Sequence, residues 1–358
     1  MIPKKDIFIR ESPLTDITTI WGSKMKTKLI VLIICGMLMT SFFVLAKPPE
    51  NMVLDKQSPT RATSSSDANV PVWEIGDYWT YKIDNISISF EEENQTINLF
   101  ISIDSLPLTV TNDTGSYYTL SFSTTTSGHA KIDGDLGDGP INISITFSSV
   151  KISGDVMIEK TTLGIKSISA LLKGRFIVDV IEQPYINLSL QTIPVPITMN
   201  TITTFGVPIS MLSFPLSTST SWNLSATNFT VNGKIHSIWL NILHFINLIA
   251  KLLGNEFLPP EIESLLPVVD IKDALITFGI GNIFQIPEIP DAFLCMNTEN
   301  ISVPAGNYEA YNISMAGGLA QAFYAPAAGN VVKITGNIEQ IIPYIHNINM
   351  ELLETNYS

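Results

Sequence analysis

The feature that most constrains the fold is a period-two pattern that runs through most of the chain. Ile141, Ile143, Ile145 and Phe147 alternate with Asn142, Ser144 and Thr146. Ile86, Ile88 and Phe90 alternate with Ser87 and Ser89, and Ile186, Leu188 and Leu190 with Asn187 and Ser189. Successive strand side chains point to opposite faces, so each stretch has one face for a core and one for water, the mark of antiparallel sheet. Further strands are expected over 97–103, 106–111, 116–124, 152–159, 164–171, 174–181, 195–204, 222–231, 272–280, 305–315, 329–336 and 347–356, punctuated by Gly and Pro. Strands this numerous stack as a sandwich or curve toward a barrel. The expected fold is mainly β: a curved antiparallel sheet or half-closed barrel, with a two-lobed form as a variant.

One segment breaks the alternation. From Lys234 to Leu253 the polar residues Lys234, His236, Ser237, Asn241, His244, Asn247 and Lys251 share one side of a helical wheel, with Leu240 and Leu248 intruding. Ile238, Trp239, Ile242, Phe245, Ile246 and Ile249 occupy the other, with Ile235 and Leu243. Gly254 and Asn255 stop this helix, and Pro259-Pro260 opens a short second one through Leu266. Burial of each large apolar side chain is worth roughly 1.5–3 kcal/mol, so the apolar arc demands cover. Three covers are open: the sheet itself, with the helix as a plug; an apolar ligand beneath a lid, with those six residues as its contacts; or a membrane surface, for which Lys234 and Lys251 supply little positive charge.

The N-terminal region places the chain relative to a membrane. Lys24, Lys26 and Lys28 precede an uncharged run from Leu29 to Ala46. Eighteen helical residues span about 27 Å, which suits a long signal peptide or a short membrane anchor. The lysines hold the preceding side in the cytoplasm. Val44 and Ala46 suit the −3 and −1 positions of a signal cleavage site before Lys47. Residues 1–24 read as a cytosolic extension or a start assigned too early, Met25 being a plausible start, and residues 25–46 as signal or anchor. Residues 47–70, with Pro48, Pro49, Pro59 and Ser64-Ser65-Ser66, read as a flexible linker. Residues 71–358 form the extracytoplasmic β-rich domain, at the cell surface or secreted.

Charge divides at the same place. Through Ala46 the chain has six Lys or Arg against three acidic residues, and beyond it 14 against 30. So acidic a domain is repelled by phosphate backbones, and no nucleic-acid partner is expected. The partners expected are a lipid or other apolar ligand, and the membrane itself if the N-terminal helix is uncleaved. Beyond the apolar run there is a single cysteine, Cys295, so the domain relies on its core rather than on intrachain disulfides. Asn-X-Ser/Thr sequons occur at Asn85, Asn94, Asn112, Asn142, Asn187, Asn223, Asn228, Asn300, Asn312 and Asn356, all beyond that run. They read as glycosylation sites or as the polar filler of wet strand faces.

Local signatures of chemistry are weak. Asp133-Gly134-Asp135-Leu136-Gly137-Asp138-Gly139 departs from a calcium loop at its fifth and twelfth positions and reads better as a hairpin turn. Ser148-Ser149-Val150-Lys151 matches Ser-x-x-Lys but sits in an alternating strand instead of a helix start. His236 and His244 share the expected helix face without a carboxylate between them. The expectation is a non-enzymatic protein with no cofactor, no metal and no catalytic residues. The alternatives are a structural or adhesive surface glycoprotein and a hydrolase with a dispersed site.

Two blocks carry a resemblance. The first is Trp73-Glu74-Ile75-Gly76-Asp77-Tyr78-Trp79-Thr80-Tyr81. The second is Val303-Pro304-Ala305-Gly306-Asn307-Tyr308-Glu309-Ala310-Tyr311, followed by Phe323-Tyr324-Ala325-Pro326 and Gly329-Asn330-Val331-Val332-Lys333. They resemble a family of largely uncharacterised envelope domains whose fold is similar to the lipoprotein-localisation factors. That resemblance implies a half-closed antiparallel barrel with helices over its mouth, and no catalytic residues. Read physically, Gly76-Asp77, Ala305-Gly306-Asn307 and Ala327-Ala328-Gly329 are turns, and Trp73 is an anchor beneath the first strand.

Overall fold

The computed structural model describes residues 67–92, 95–135, 140–182, 192–254, 260–273, 285–339 and 345–357. Residues 1–66, Asn94, the alternation at 186–190 with Asn187, and 274–280 lie outside them. Fifteen strands follow one another: β1 (Tyr78–Glu92), β2 (Gln95–Asp113), β3 (Tyr117–Asp135), β4 (Pro140–Glu159), β5 (Ile165–Glu182), β6 (Thr192–Ile209), β7 (Thr220–Leu224), β8 (Thr227–His236), β9 (Val268–Asp270), β10 (Gln285–Ile286), β11 (Ile289–Val303), β12 (Gly306–Met315), β13 (Ala320–Ala325), β14 (Asn330–Gly336) and β15 (Ile345–Thr355). Two helices, α1 (Ile238–Leu252) and α2 (Pro260–Glu263), lie between β8 and β9.

The strands form one antiparallel sheet in the order β10-β8-β6-β5-β4-β3-β2-β1-β15-β14-β13-β12-β11-β7, with β9 beside β8. Its ends meet. β7 runs into β8 and β10 into β11, so pairs Asn228–Gln285, Thr227–Ile286, Leu224–Ile289 and Trp222–Phe293 continue one another across a kink. The sheet therefore closes partly into a ring, which removes the long open edges that invite edge-to-edge association.

The first six strands are longer than the alternation suggests. Stretches expected as separate strands, such as 97–103 with 106–111 and 164–171 with 174–181, fuse into β2 and β5. The residues read as breaks are a crease within the strands. Register shifts cross the sheet at Tyr81–Ile86 in β1, Ser102–Leu108 in β2, Thr126–Gly128 in β3 and Thr146–Lys151 in β4. Bulges in neighbouring strands bend a sheet together. Where β2 and β3 part, the Thr126 hydroxyl donates to the Ser102 carbonyl at 3.0 Å, and that of Thr124 to Ser105 at 2.6 Å. Gly128 lies on the bend because a Cβ there would sit 2.2 Å from the Phe100 carbonyl oxygen.

Alternation sorts the two faces as expected. In β6, Val195, Ile197, Met199, Thr201, Thr203 and Phe205 are buried, while Asn200, Ile202 and Thr204 are exposed. The outward row of β3 includes Ser123, Thr125, Ser127, His129 and Lys131. That polar exterior is the reverse of the apolar band of a membrane-spanning barrel. Inward side chains from both sides of the ring, among them Trp79, Leu120, Leu172, Met199, Phe205, Phe293 and Tyr324, are fully buried and belong to one continuous core.

The blocks at the two ends of the domain meet in this core. Trp73 Nε1 donates to the Gly329 carbonyl at 3.0 Å, Trp79 Nε1 to Ala328 at 2.7 Å, and the Tyr81 hydroxyl to Val331 at 2.9 Å. The rings of Trp73 and Trp79 lie 4.8 Å apart, with Tyr118 and Tyr357 beside them. The fold also begins earlier than the expected linker boundary at residue 70. Ala68 bridges Leu216, and Asp67 accepts a hydrogen bond from the Ser217 hydroxyl, so 67–70 belong to the folded part.

Candidate functional site

α1 leaves the sheet where β8 stops. The β8 pairing with β6 ends at His236 opposite Thr198, leaving Pro194 and Pro196 of β6 unpaired on that side. Proline has no N–H, so this exposed edge presents only carbonyls. The helix start takes both: the Ser237 hydroxyl donates to Pro196 at 2.6 Å, and Trp239 Nε1 to Pro194 at 2.9 Å. Ser237 is also the N-cap, accepting from the Trp239 backbone N–H. At the far end Lys251 pairs with Glu263 of α2, and the chain rejoins the sheet with Val268 opposite His236.

The orientation of α1 overturns the plug and the lid. Leu240 (7 % exposed) and Asn247 (1 %) face the protein, with Leu243 and His244 half-buried beside them. Spacings of three and four place these residues on one side of the helix. The arc expected to be covered faces outward instead: Phe245 is 62 % exposed and Ile238 56 %, and Trp239, Ile242, Ile246 and Ile249 are exposed as well. Leu248, Leu252 and Leu253 extend the same surface. So these six side chains do not line a space beneath the helix. The cause lies in the anchors, because the bonds at Pro194 and Pro196 and the buried Leu240 fix the rotation of the helix. A second correction concerns the histidines: His236 ends β8 and shares no helix with His244.

Contiguous exposed apolar surface on a folded protein marks an interaction site more often than isolated exposed residues do. Sequence reasoning found the residues of this surface but not its direction. The buried Leu240, which the wheel placed among polar residues, was the available signal.

The described sequons differ in setting. Asn112, Asn228 and Asn300 are exposed on the strand surface. Asn223 and Asn356 are exposed but tied into the fold: Asn223 donates to Glu288 and accepts from the Asp291 N–H, and Asn356 donates to the Gly76 carbonyl and accepts from the Tyr78 N–H. Asn312 is 6 % exposed and its amide donates to Glu299 at 2.6 Å, so it leaves no room for a glycan, contrary to the sequence expectation. Asn142 is half-buried in β4, and Asn85 lies in β1.

Elsewhere, Cys295 and the Ser-x-x-Lys match lie in regular strands. Cys295 is fully buried in β11, and burial pushes its thiol up to about 11. Ser148 and Lys151 are exposed on β4 as part of an ordinary strand. Among the described residues no group of three or more His, Cys, Asp or Glu is placed to hold a metal ion. Among the same residues no helix is long and apolar enough to cross a membrane. Comparison with protein-family models, curated proteins and solved structures finds no match to this chain.

Proposed function

We propose that this is a non-enzymatic envelope protein, exported from the cytoplasm, whose partly closed β-ring is a rigid stand for an apolar contact surface on α1. The observation that carries this reading is the outward arc from Ile238 to Ile249, held by the bonds to Pro194 and Pro196. The continuous core supports an outer site over a ligand bound within the curve, since the described inward side chains pack into one buried cluster. The likeness to lipoprotein-localisation-type half-barrels stays part of this proposal, with the contact displaced from the concave face to the helix.

The experiment compares the full chain with its Phe245→Glu/Ile249→Glu variant for binding of a hydrophobic fluorescent dye under native conditions. The proposal expects dye binding by the parent and its loss in the variant, with denaturation midpoints matched. Equal dye binding by both proteins rejects α1 as the working surface.

A sequon-bearing exterior suits a second reading, a structural or adhesive surface glycoprotein. It is favoured by the exposure of Asn112, Asn228 and Asn300.

A further inference from the structure

We infer that the occupant of the α1 surface is the interfacial layer of a neutral, zwitterionic phospholipid bilayer, in which the helix lies side-on. This deepens the proposal above and rests on its reading of α1 as the working face.

The chemistry of the arc favours lipid. Its exposed side chains are aliphatic or aromatic over the full fifteen residues of the helix, about 22 Å. The single charged residue of α1 is Lys251, already engaged by Glu263. No cation of the helix is therefore left to hold an anionic headgroup, and the acidic balance of the domain opposes an anionic surface. Interfacial helices that bind through apolar area alone are suited to neutral lipid. Trp239 matches that environment: its indole N–H is satisfied by Pro194 and its ring remains partly exposed.

A bilayer sets no minimum area for such a contact, because partition grows with each inserted side chain.

The chain outside the described residues provides the reach. The apolar run ends at Ala46, and the first described residue, Asp67, accepts a hydrogen bond from Ser217. The roughly twenty residues between them extend at most about 70 Å. β6 runs from Ile209, near that end of the sheet, to the Pro194–Pro196 edge under α1, about 50 Å at strand rise. A bilayer that retains Leu29–Ala46 is thus within reach of α1. Tethering makes the second contact intramolecular, so a weak partition suffices.

The test places an environment-sensitive fluorophore on the full chain at Phe245→Cys, and separately at Thr204→Cys on the polar exterior of β6, in a Cys35→Ser background. Both proteins are reconstituted into phosphatidylcholine vesicles carrying nitroxide-labelled lipid. The expected result is a blue shift and at least about twofold quenching at position 245, little at 204, and no change in 0.5 M salt (apolar insertion is not screened). Adding Ile249→Glu should abolish the quenching. A label at 245 that stays water-exposed beside vesicles overturns the inference, as does shielding that rises with protein concentration in the absence of lipid, which would identify a second copy. Dye binding that still depends on Phe245 and Ile249 would then leave the α1 proposal standing. Dye binding indifferent to both residues removes the two together.

Discussion

Trp79 donates its indole N–H to the carbonyl of Ala328 at 2.7 Å, across 249 residues of chain. Trp73 does the same to Gly329, the next carbonyl of the same turn. The two tryptophan rings pack against each other at a tilt of 48°, so the first strand of the sheet is clamped to the β13–β14 turn beside its last strand.

Replacing Trp79 by Phe leaves a buried carbonyl without its donor and a partly filled space. The expected loss is about 3 kcal/mol, the sum of an unmet hydrogen bond and a small cavity. Denaturant midpoints of the full chain measure it. Trp73→Phe should cost less, and the double variant should fall short of the sum, because the two rings touch and share one turn.

Gly329 closes that turn with φ 61°, and a Cβ there would lie 2.6 Å from the Tyr357 ring. Gly329→Ala should therefore destabilise by about 2 kcal/mol or more through strain and overlap together. Tyr357→Ala in the same chain should recover the part due to overlap and leave the backbone strain of about 1 kcal/mol. A double-mutant cycle separates the two.

Stability should fall in alkali. Burial raises the Cys295 thiol from 9.0 to about 11, and it raises the Tyr81 and Tyr324 hydroxyls further. A group whose folded pKa is raised adds stability that is complete below its unfolded value and is lost as pH climbs through the folded one. For Cys295 the window is pH 9 to 11, with the tyrosines extending the decline upward. Melting temperatures between pH 8 and 11 should drop steadily, and Cys295→Ala should flatten the first part of the slope. Alkylation of Cys295 in the native protein should stay slow over the same range, because the thiolate is the reacting form.

If the chain is made in a host that glycosylates Asn-X-Ser/Thr, glycopeptide mass spectrometry should find Asn112, Asn228 and Asn300 modified before Asn142 and Asn312. Asn312 should stay bare in folded protein, since its side chain is buried on Glu299. Modification at Asn312 would mean that β11 and β12 pair differently.

Much of the fold was legible because a half-wet sheet writes its two faces into alternate residues. Ile145 and Phe147, and Val195, Ile197 and Met199, lie where that pattern puts them. The turn at Gly76 and that at Ala328-Gly329 were legible from their residue types. Strand lengths were not, because Gly128 looks like a terminator yet serves a bend inside β3. Ring closure depends on β7, β8, β10 and β11 meeting across a kink, which no local pattern records. The rotation of α1 was illegible for a related reason. Amphipathicity names the face that seeks cover, but Pro194 and Pro196, forty residues upstream, decide which face is turned to the sheet.

That rotation is the central claim, and paired substitutions test it most directly. Leu240→Ser and Phe245→Ser make comparable changes on opposite sides of α1, and urea midpoints of the two full chains can be set against the parent. With the apolar arc outward, Leu240→Ser should cost about 2 kcal/mol or more and Phe245→Ser no more than about 0.5 kcal/mol. The reverse order would mean that α1 lies apolar face down on the sheet, and would contradict the account.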